Sequence, residues 1–292
     1  MIKTAYLTQA INIFLTGFGQ IMLQENRLTG LFFLAGILVN SVTQFLTAVS
    51  ASLIALLTAY SCGFSRQHIA KGWYGFNGAL VGLAVASFFP LSWLAVILLL
   101  AGSILSSLLM RLMLTSKALP PYTSPFVLTI WLLLIGAHFF AAPLVEARAK
   151  ASELVVYEAI FRGLAQVMFQ DHVLTGVLFA LGIVCSSRLL AVWGLLAAML
   201  GVMLAMLLGL SEQLTGAGVY GYNAVLAAIA LAGNYKKSVV LPLLGAVIAF
   251  AITLLFQTMA APALTAPFIL AVWLVLTGKN IVDRFFHLPT VV

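Results

Sequence analysis

Four polar side chains stand inside long apolar runs, where an unpartnered amide or hydroxyl costs on the order of several kcal/mol: Gln20, Gln166, Thr123 and Thr265. Each must either bond a neighbouring helix or line a wet cavity and offer its oxygen to a passing solute. The glutamines sit in matching contexts. Gly17-Phe18-Gly19-Gln20-Ile21-Met22-Leu23-Gln24, followed by Leu28-Thr29-Gly30, recurs 146 positions later as Gly163-Leu164-Ala165-Gln166-Val167-Met168-Phe169-Gln170, followed by Leu174-Thr175-Gly176. The threonines match as well, in Leu119-Pro120-Pro121-Tyr122-Thr123-Ser124-Pro125-Phe126 and Ala261-Pro262-Ala263-Leu264-Thr265-Ala266-Pro267-Phe268, 142 positions apart. Proline lacks an N–H and breaks the helical ladder, so carbonyls near each threonine are released to a neighbour, a water or a ligand. The bland alternative is a plain helix start before a long span.

A third landmark has the glutamine offset, Gly72-Trp73-Tyr74-Gly75-Phe76-Asn77-Gly78-Ala79-Leu80 against Gly218-Val219-Tyr220-Gly221-Tyr222-Asn223-Ala224-Val225-Leu226. Gln, Asn, Thr, Pro and the pair Trp131/Trp273 coincide in order, which chance likeness between Leu/Ala/Val-rich helices does not produce. The chain is a duplication, here expected as residues 1–145 and 146–292. Phe76 with Leu80, and Tyr222 with Leu226, are four apart and share one helical face. Spacing alone leaves packing and pathway lining both open.

The elements that must carry these residues are set by composition. Of 292 residues, 63% are hydrophobic and 7% charged, against about 25% charged in a soluble domain. An all-α polytopic membrane protein is expected, with roughly ten spans at about 20 residues each. In the first half, apolar segments fall at roughly 6–22, 28–43, 45–61, 76–89, 91–114 and 125–143, bounded by polar residues. Five are long enough to cross. The segment from Phe76 to Phe89 is short, opens on Gly75 and closes on Pro90, and it reads as a re-entrant half-helix, with Tyr222 to Leu231 as its copy in the second half. Five crossings is an odd number, so the halves are expected as inverted repeats, with the substrate site at the short segments. If the short pieces cross, each half has six spans and the repeats are parallel.

Charge excludes several classes. The net charge of +7 comes from basic residues scattered singly, without the cluster that nucleic-acid binding needs. A ten-crossing topology with a cytoplasmic N-terminus puts Lys3, Arg111, Lys117, Lys236, Lys237, Lys279 and Arg284 inside, against six basic residues outside, too even a split to orient the chain. The N-terminal apolar run lacks a small-residue cleavage site and reads as the first span. The charge-dense stretch from Glu146 to Glu158 reads as a solvated linker. Cys62 and Cys185, in apolar surroundings, are expected as buried packing residues. No hydrolase constellation, His/Cys cluster or phosphate loop is visible, and His138 is a lone histidine whose counterpart is Asn280. Apart from Arg111 near the end of segment 91–114, and Glu158 and Arg162 near one membrane edge, no firmly charged residue falls within an expected crossing, unlike ion-coupled transporters and ion channels.

The twice-occurring Pro-x-x-Thr-x-Pro-Phe signature, with Gly75-Phe76-Asn77-Gly78-Ala79-Leu80 and Gly221-Tyr222-Asn223-Ala224-Val225-Leu226 upstream and the Gln20 and Gln166 segments opening each half, closely resembles the urea transporter family. The resemblance covers nearly the whole chain. It implies an inverted-repeat fold of ten spans and two re-entrant helices, a homotrimer with one pore per protomer, and channel-like facilitated diffusion of urea across the lipid bilayer. It implies no cofactor, metal or nucleic acid. By motif, Gln20 and Gln166 would stand at the outer and inner ends of the filter and Thr123 and Thr265 at its middle. Leu23, Phe169, Phe76, Leu80, Tyr222 and Leu226 would form the apolar slot. Two departures stand out: Leu23 where the family often has an aromatic, and Tyr222 against Phe76 of the first copy, which would make the slot wider or wetter there. Short loops and unextended termini suggest a bacterial, inner-membrane type. Two other readings remain, a channel of the same fold for a short amide, ammonia or water, and an ion-coupled transporter, which would need a charged site between the half-helices.

Overall fold

The computed structural model describes residues 2–116, 119–145, 154–259 and 261–285. Glu146, Arg148, Lys150 and Glu153 of the expected linker, and Lys117, lie outside them. Among the described residues there are fourteen α-helices. The first seven are α1 (Ile2–Gln20), α2 (Arg27–Asn40), α3 (Val42–Ser61), α4 (Arg66–Ala70), α5 (Gly75–Phe88), α6 (Trp93–Ser116) and α7 (Ser124–Phe139). The next seven repeat the order: α8 (Val156–Ala165), α9 (Val173–Ser186), α10 (Arg188–Leu207), α11 (Glu212–Gly216), α12 (Tyr222–Asn234), α13 (Val240–Thr258) and α14 (Ala266–Phe285). The protein is an all-α, multi-pass membrane protein.

Local chemistry sets the boundaries. Ser41 and Ser187, at equivalent positions, cap α3 and α10 by accepting from Gln44 N and Leu190 N. Asn26 caps α2 from Leu28 N and Thr29 N. Its equivalent His172 makes no side-chain cap. Five helices, α3, α6, α10, α13 and α14, are long and apolar enough to cross a membrane, and α8 with its following 3-10 turn joins α9 as a sixth candidate bent by 76°. The shortfall from ten has a physical cause. The chain interrupts its helices at Gln20–Arg27, Gln166–Val173 and before Ser124, so α2, α9 and α7 are only 14, 14 and 16 residues long. Backbone freed at such breaks is tolerated in a membrane only inside protein or along a cavity.

The short helices α5 and α12 form the centre. Residues Gly75 to Val85 and Asn223 to Ala232 are buried throughout, as expected for helices apolar on every side. α5 lies antiparallel to α3. Ala51 and Ala55, each 0% exposed, face its glycines, and a Cβ on Gly78 would come within 2.6 Å of the Ala51 carbonyl. Small residues drive such close helix contacts where lipid removes the usual hydrophobic gain. The pairing continues to Gln44 Nε2, which donates to Ser87 Oγ at 3.0 Å, so α5 accompanies α3 over most of its length. α6 then returns, with Ser107 Oγ donating to the Ala55 carbonyl at 3.0 Å.

This hairpin corrects the charge map. The sequence-based charge map puts Arg111 inside and, by exclusion, Arg66 and Lys71 among the six outside, yet the Arg111 guanidinium lies over the Phe64 ring at 5.8 Å. The α6 return brings it to the face of the α3–α5 connection. Cys62 and Cys185 are likewise exposed, not buried. Both surfaces of a membrane helix are apolar, so apolar neighbours do not distinguish protein-facing from lipid-facing positions. α14 carries Lys279 and Asp283, paired at i,i+4, in its final turns.

The halves meet through reciprocal contacts. Thr29 Oγ1 donates to the Gly182 carbonyl at 2.7 Å, and its equivalent Thr175 Oγ1 donates to Gly36 at 2.8 Å. Phe33 and Phe179, both 0% exposed, pack between them with ring centroids 4.9 Å apart. Trp131 Nε1 donates to the Pro262 carbonyl and Trp273 Nε1 to Pro120, each at 2.9 Å.

Candidate functional site

Each candidate glutamine closes a helix on a strained turn. After Gln20 the backbone tightens through Leu23 N to Gln20 O (2.9 Å) and Gln24 N to Gly19 O (3.0 Å), with Leu23 at φ 61°. After Gln166, Phe169 N bonds Gln166 O (3.1 Å) and Gln170 N bonds Ala165 O (3.2 Å), with Phe169 at φ 60°. A non-glycine residue in this left-handed region costs about 1–2 kcal/mol and persists where its surroundings hold it. Gln24 and Gln170 do the holding. Their Nε2 atoms donate to the carbonyls of Met22 and Met168 at 2.8 and 2.5 Å, from side chains 1% and 0% exposed. Sequence reasoning aligned these two glutamines without assigning them a task. Their burial inside a polar-residue repeat was the available signal.

Thr123 and Thr265 come together. Their hydroxyls lie 2.7 Å apart, with the residues 1% and 3% exposed. The helix-start reading is half right: Thr123 occupies the N-cap of α7, but its side chain makes no cap bond. The orphan N–H groups of these helix starts are met from elsewhere. Phe126 N donates to Asn77 Oδ1 at 3.1 Å and Phe268 N to Asn223 Oδ1 at 3.3 Å. Those asparagines pin α7 and α14 to the central helices, a role the duplicated Gly-x-Asn pattern signalled but did not name. With each threonine oxygen engaged in the shared bond, the pair still presents free lone pairs and one O–H.

Burial grades along the set. Gln166, Leu23, Phe169 and Tyr222 are half-buried, Gln20 is 8% exposed, Phe76 is 3%, and Leu80 and Leu226 are 0%. Gln166 does bond a neighbour, since Nε2 donates to Ala217 O at 3.1 Å. That bond commits the nitrogen and leaves the amide oxygen as an acceptor. Phe169 packs edge-on against Phe88 (6.0 Å) and Phe126 (6.2 Å). Tyr222 does not simply wet the slot: its hydroxyl donates to the Leu264 carbonyl at 2.6 Å, beside Asn223 Nδ2 at 3.3 Å. Phe76 has no hydroxyl to do the same for Tyr122.

The surroundings of the two glutamines differ in charge. Near Gln166, Arg162 is neutralised by Glu158 (2.7 Å) and tied to the Gly216 carbonyl (3.1 Å). In α4, the equivalent of α11, His68 stacks on Trp73 with centroids 4.7 Å apart, and Lys71 lies 5.3 Å from the same ring. Burial, then the charges of Arg111 and Lys71, lower the His68 pKa, so imidazolium is disfavoured there. His138 is exposed at the end of α7. Among the described residues no group of three His, Cys, Asp or Glu could hold a metal ion. The groups present are two amides and a hydroxyl pair, which can hydrogen-bond a small neutral molecule.

The chain is 27% identical to urea transporter 1 of Rattus norvegicus over 96% of its own length and 80% of that protein. It is 26% identical to urea transporter 1 of Capra hircus, over 93% and 78% respectively. The family model described as urea transporter matches residues 11–280. On that match the chain belongs to the urea transporter family.

Proposed function

We propose that this protein conducts urea passively through a pore between its two halves. The halves act as inverted repeats, with Gln20 and Gln166 at the two ends of the filter and Thr123 with Thr265 at its middle. The observation that carries this reading is the buried Thr123–Thr265 hydroxyl pair, 2.7 Å apart, where duplicated segments converge. The reciprocal tryptophan and threonine bonds support a two-fold relation between the halves. Urea is flat and neutral, with four N–H donors and one carbonyl acceptor. The glutamine and threonine oxygens would replace the water its N–H groups shed, while Leu23, Phe76, Leu80, Phe169, Tyr222 and Leu226 flank its faces. Each exchange must roughly break even for the solute to leave. A cation finds no charge in the slot to offset desolvation, so ammonium and guanidinium are excluded. A homotrimer in an inner membrane is the assembly the family resemblance favours.

The test is stopped-flow urea efflux from proteoliposomes without an ion gradient, with Gln166→Ala and Thr265→Val alongside. Saturable efflux above empty liposomes, reduced in both variants, is expected. Flux appearing only under a proton or sodium gradient would overturn the passive mechanism, and flux of a short amide outcompeting urea would change the substrate.

A further inference from the structure

Tyr122 belongs to neither the duplicated consensus nor the expected slot, yet its position pairs it with a departure that does. Only one residue at each of the two aligned wall positions is aromatic: Phe169 against Leu23, and Tyr122 against Leu264. All four are in the left-handed region, at φ 60°, 61°, 47° and 47° respectively, so each side chain leaves a strained turn next to a filter glutamine or threonine. In one half of the site Phe169 lies edge-on to Phe126 at 6.2 Å. In the other, the residue equivalent to Phe126 is Phe268, and Tyr122 supplies its edge-on partner at 5.2 Å. The aromatic contact is kept, and the residue that makes it has moved from one strained turn to the other.

The neighbours changed with it. Phe169 is backed by Phe88 at 6.0 Å. The equivalent of Phe88 is Asn234, whose Nδ2 donates to the Tyr122 hydroxyl at 3.3 Å. An apolar wall of two phenylalanines therefore corresponds to a hydrogen-bonded tyrosine–asparagine wall. A phenol hydroxyl that accepts from Asn234 still has its own proton to donate.

We propose that Tyr122 is a specificity-determining residue of the Gln20 end of the pathway, replacing the aromatic wall that Leu23 lacks and adding a hydroxyl to it. The proposal rests on the pore reading given above. The Gln20 end then narrows as the Gln166 end does, but tolerates a polar group on the solute better than an added methyl.

The experiment compares efflux of urea, hydroxyurea and N-methylurea from proteoliposomes holding wild type, Tyr122→Phe, Tyr122→Leu, and Tyr122→Leu combined with Leu23→Phe. Thermal unfolding in detergent identifies folded variants. Tyr122→Leu is expected to raise methylurea flux relative to urea at least threefold. The double variant, which copies the Phe169/Leu264 arrangement, restores that ratio. Tyr122→Phe, which keeps the ring, leaves the methylurea ratio unchanged and lowers hydroxyurea flux relative to urea about threefold. Wild-type urea flux with unchanged ratios in Tyr122→Leu and Tyr122→Phe overturns this proposal alone. Absence of wild-type urea flux overturns the pore reading, and this proposal with it.

Discussion

The two halves of the molecule agree at nearly every left-handed turn, Ala141 (φ 47°) against helical Asp283 being the exception, and disagree in the side chains around the candidate site. Left-handed Leu23, Tyr122 and Gly72 are matched by left-handed Phe169, Leu264 and Gly218. Reciprocal bonds from Thr29 and Thr175, and from Trp131 and Trp273, tie each half to the other. Beside this shared scaffold, Phe76 faces the task of Tyr222, Phe88 that of Asn234, and cationic α4 that of α11 with its Glu212. The lesson is that backbone geometry constrains a duplicated site more tightly than side-chain identity does. A turn admits few residue sets, whereas a wall needs only area and shape.

The largest effect should come from breaking the shared scaffold. A Cβ on Gly30 would enter the Leu15 carbonyl, and one on Gly176 the Phe161 carbonyl; backbone cannot yield as a side chain can. Gly30→Ala and Gly176→Ala should each abolish monodisperse protein on size-exclusion chromatography. Loss in one variant with a normal profile in the other would break the equivalence of the halves. Next comes the hydroxyl pair. Thr123→Val or Thr265→Val leaves one buried hydroxyl without its partner, worth about 1–3 kcal/mol, so urea efflux should fall on the order of tenfold in both. A clear inequality would show that the pair does not sit on a symmetric junction.

A smaller effect is expected where the halves already differ. Tyr222→Phe removes the 2.6 Å bond to Leu264 and makes the second half resemble the first. Thermal stability should drop by about 1 kcal/mol, with urea flux largely kept; a tenfold flux loss would instead make that hydroxyl part of the solute path. The smallest effect concerns pH. His68 has its pKa lowered by burial first and then by Arg111 and Lys71, so the folded state binds this proton less readily than the unfolded chain. The contribution is intact above the ordinary histidine value and is lost as pH falls below it. Melting curves from pH 8 to pH 5 should show a small destabilisation that His68→Gln reduces. The equivalent residue is Leu214, so a matching acid sensitivity from α11 is not expected.

The amino-acid sequence by itself determined the membrane class and the internal repeat of polar landmarks, and it marked Gln20, Gln166, Thr123 and Thr265 as candidates. These rest on composition and on polar residues recurring in register, signals that survive in one dimension. It also carried Asn77, Asn223, Gln24 and Gln170 in plain view, but their tasks are contacts to Phe126, Phe268, Met22 and Met168, and a contact has no spacing of its own. Tertiary structure alone decided that Thr123 meets Thr265, that α5 runs beside α3 and so brings Arg111 to Phe64, and that Cys62 and Cys185 are exposed. The physical reason is common to all of these. In a bilayer, lipid-facing and protein-facing surfaces are both apolar, so hydrophobic pattern marks where helices are but not what they face. Only close packing of small residues and the need to satisfy every buried polar group choose among the faces.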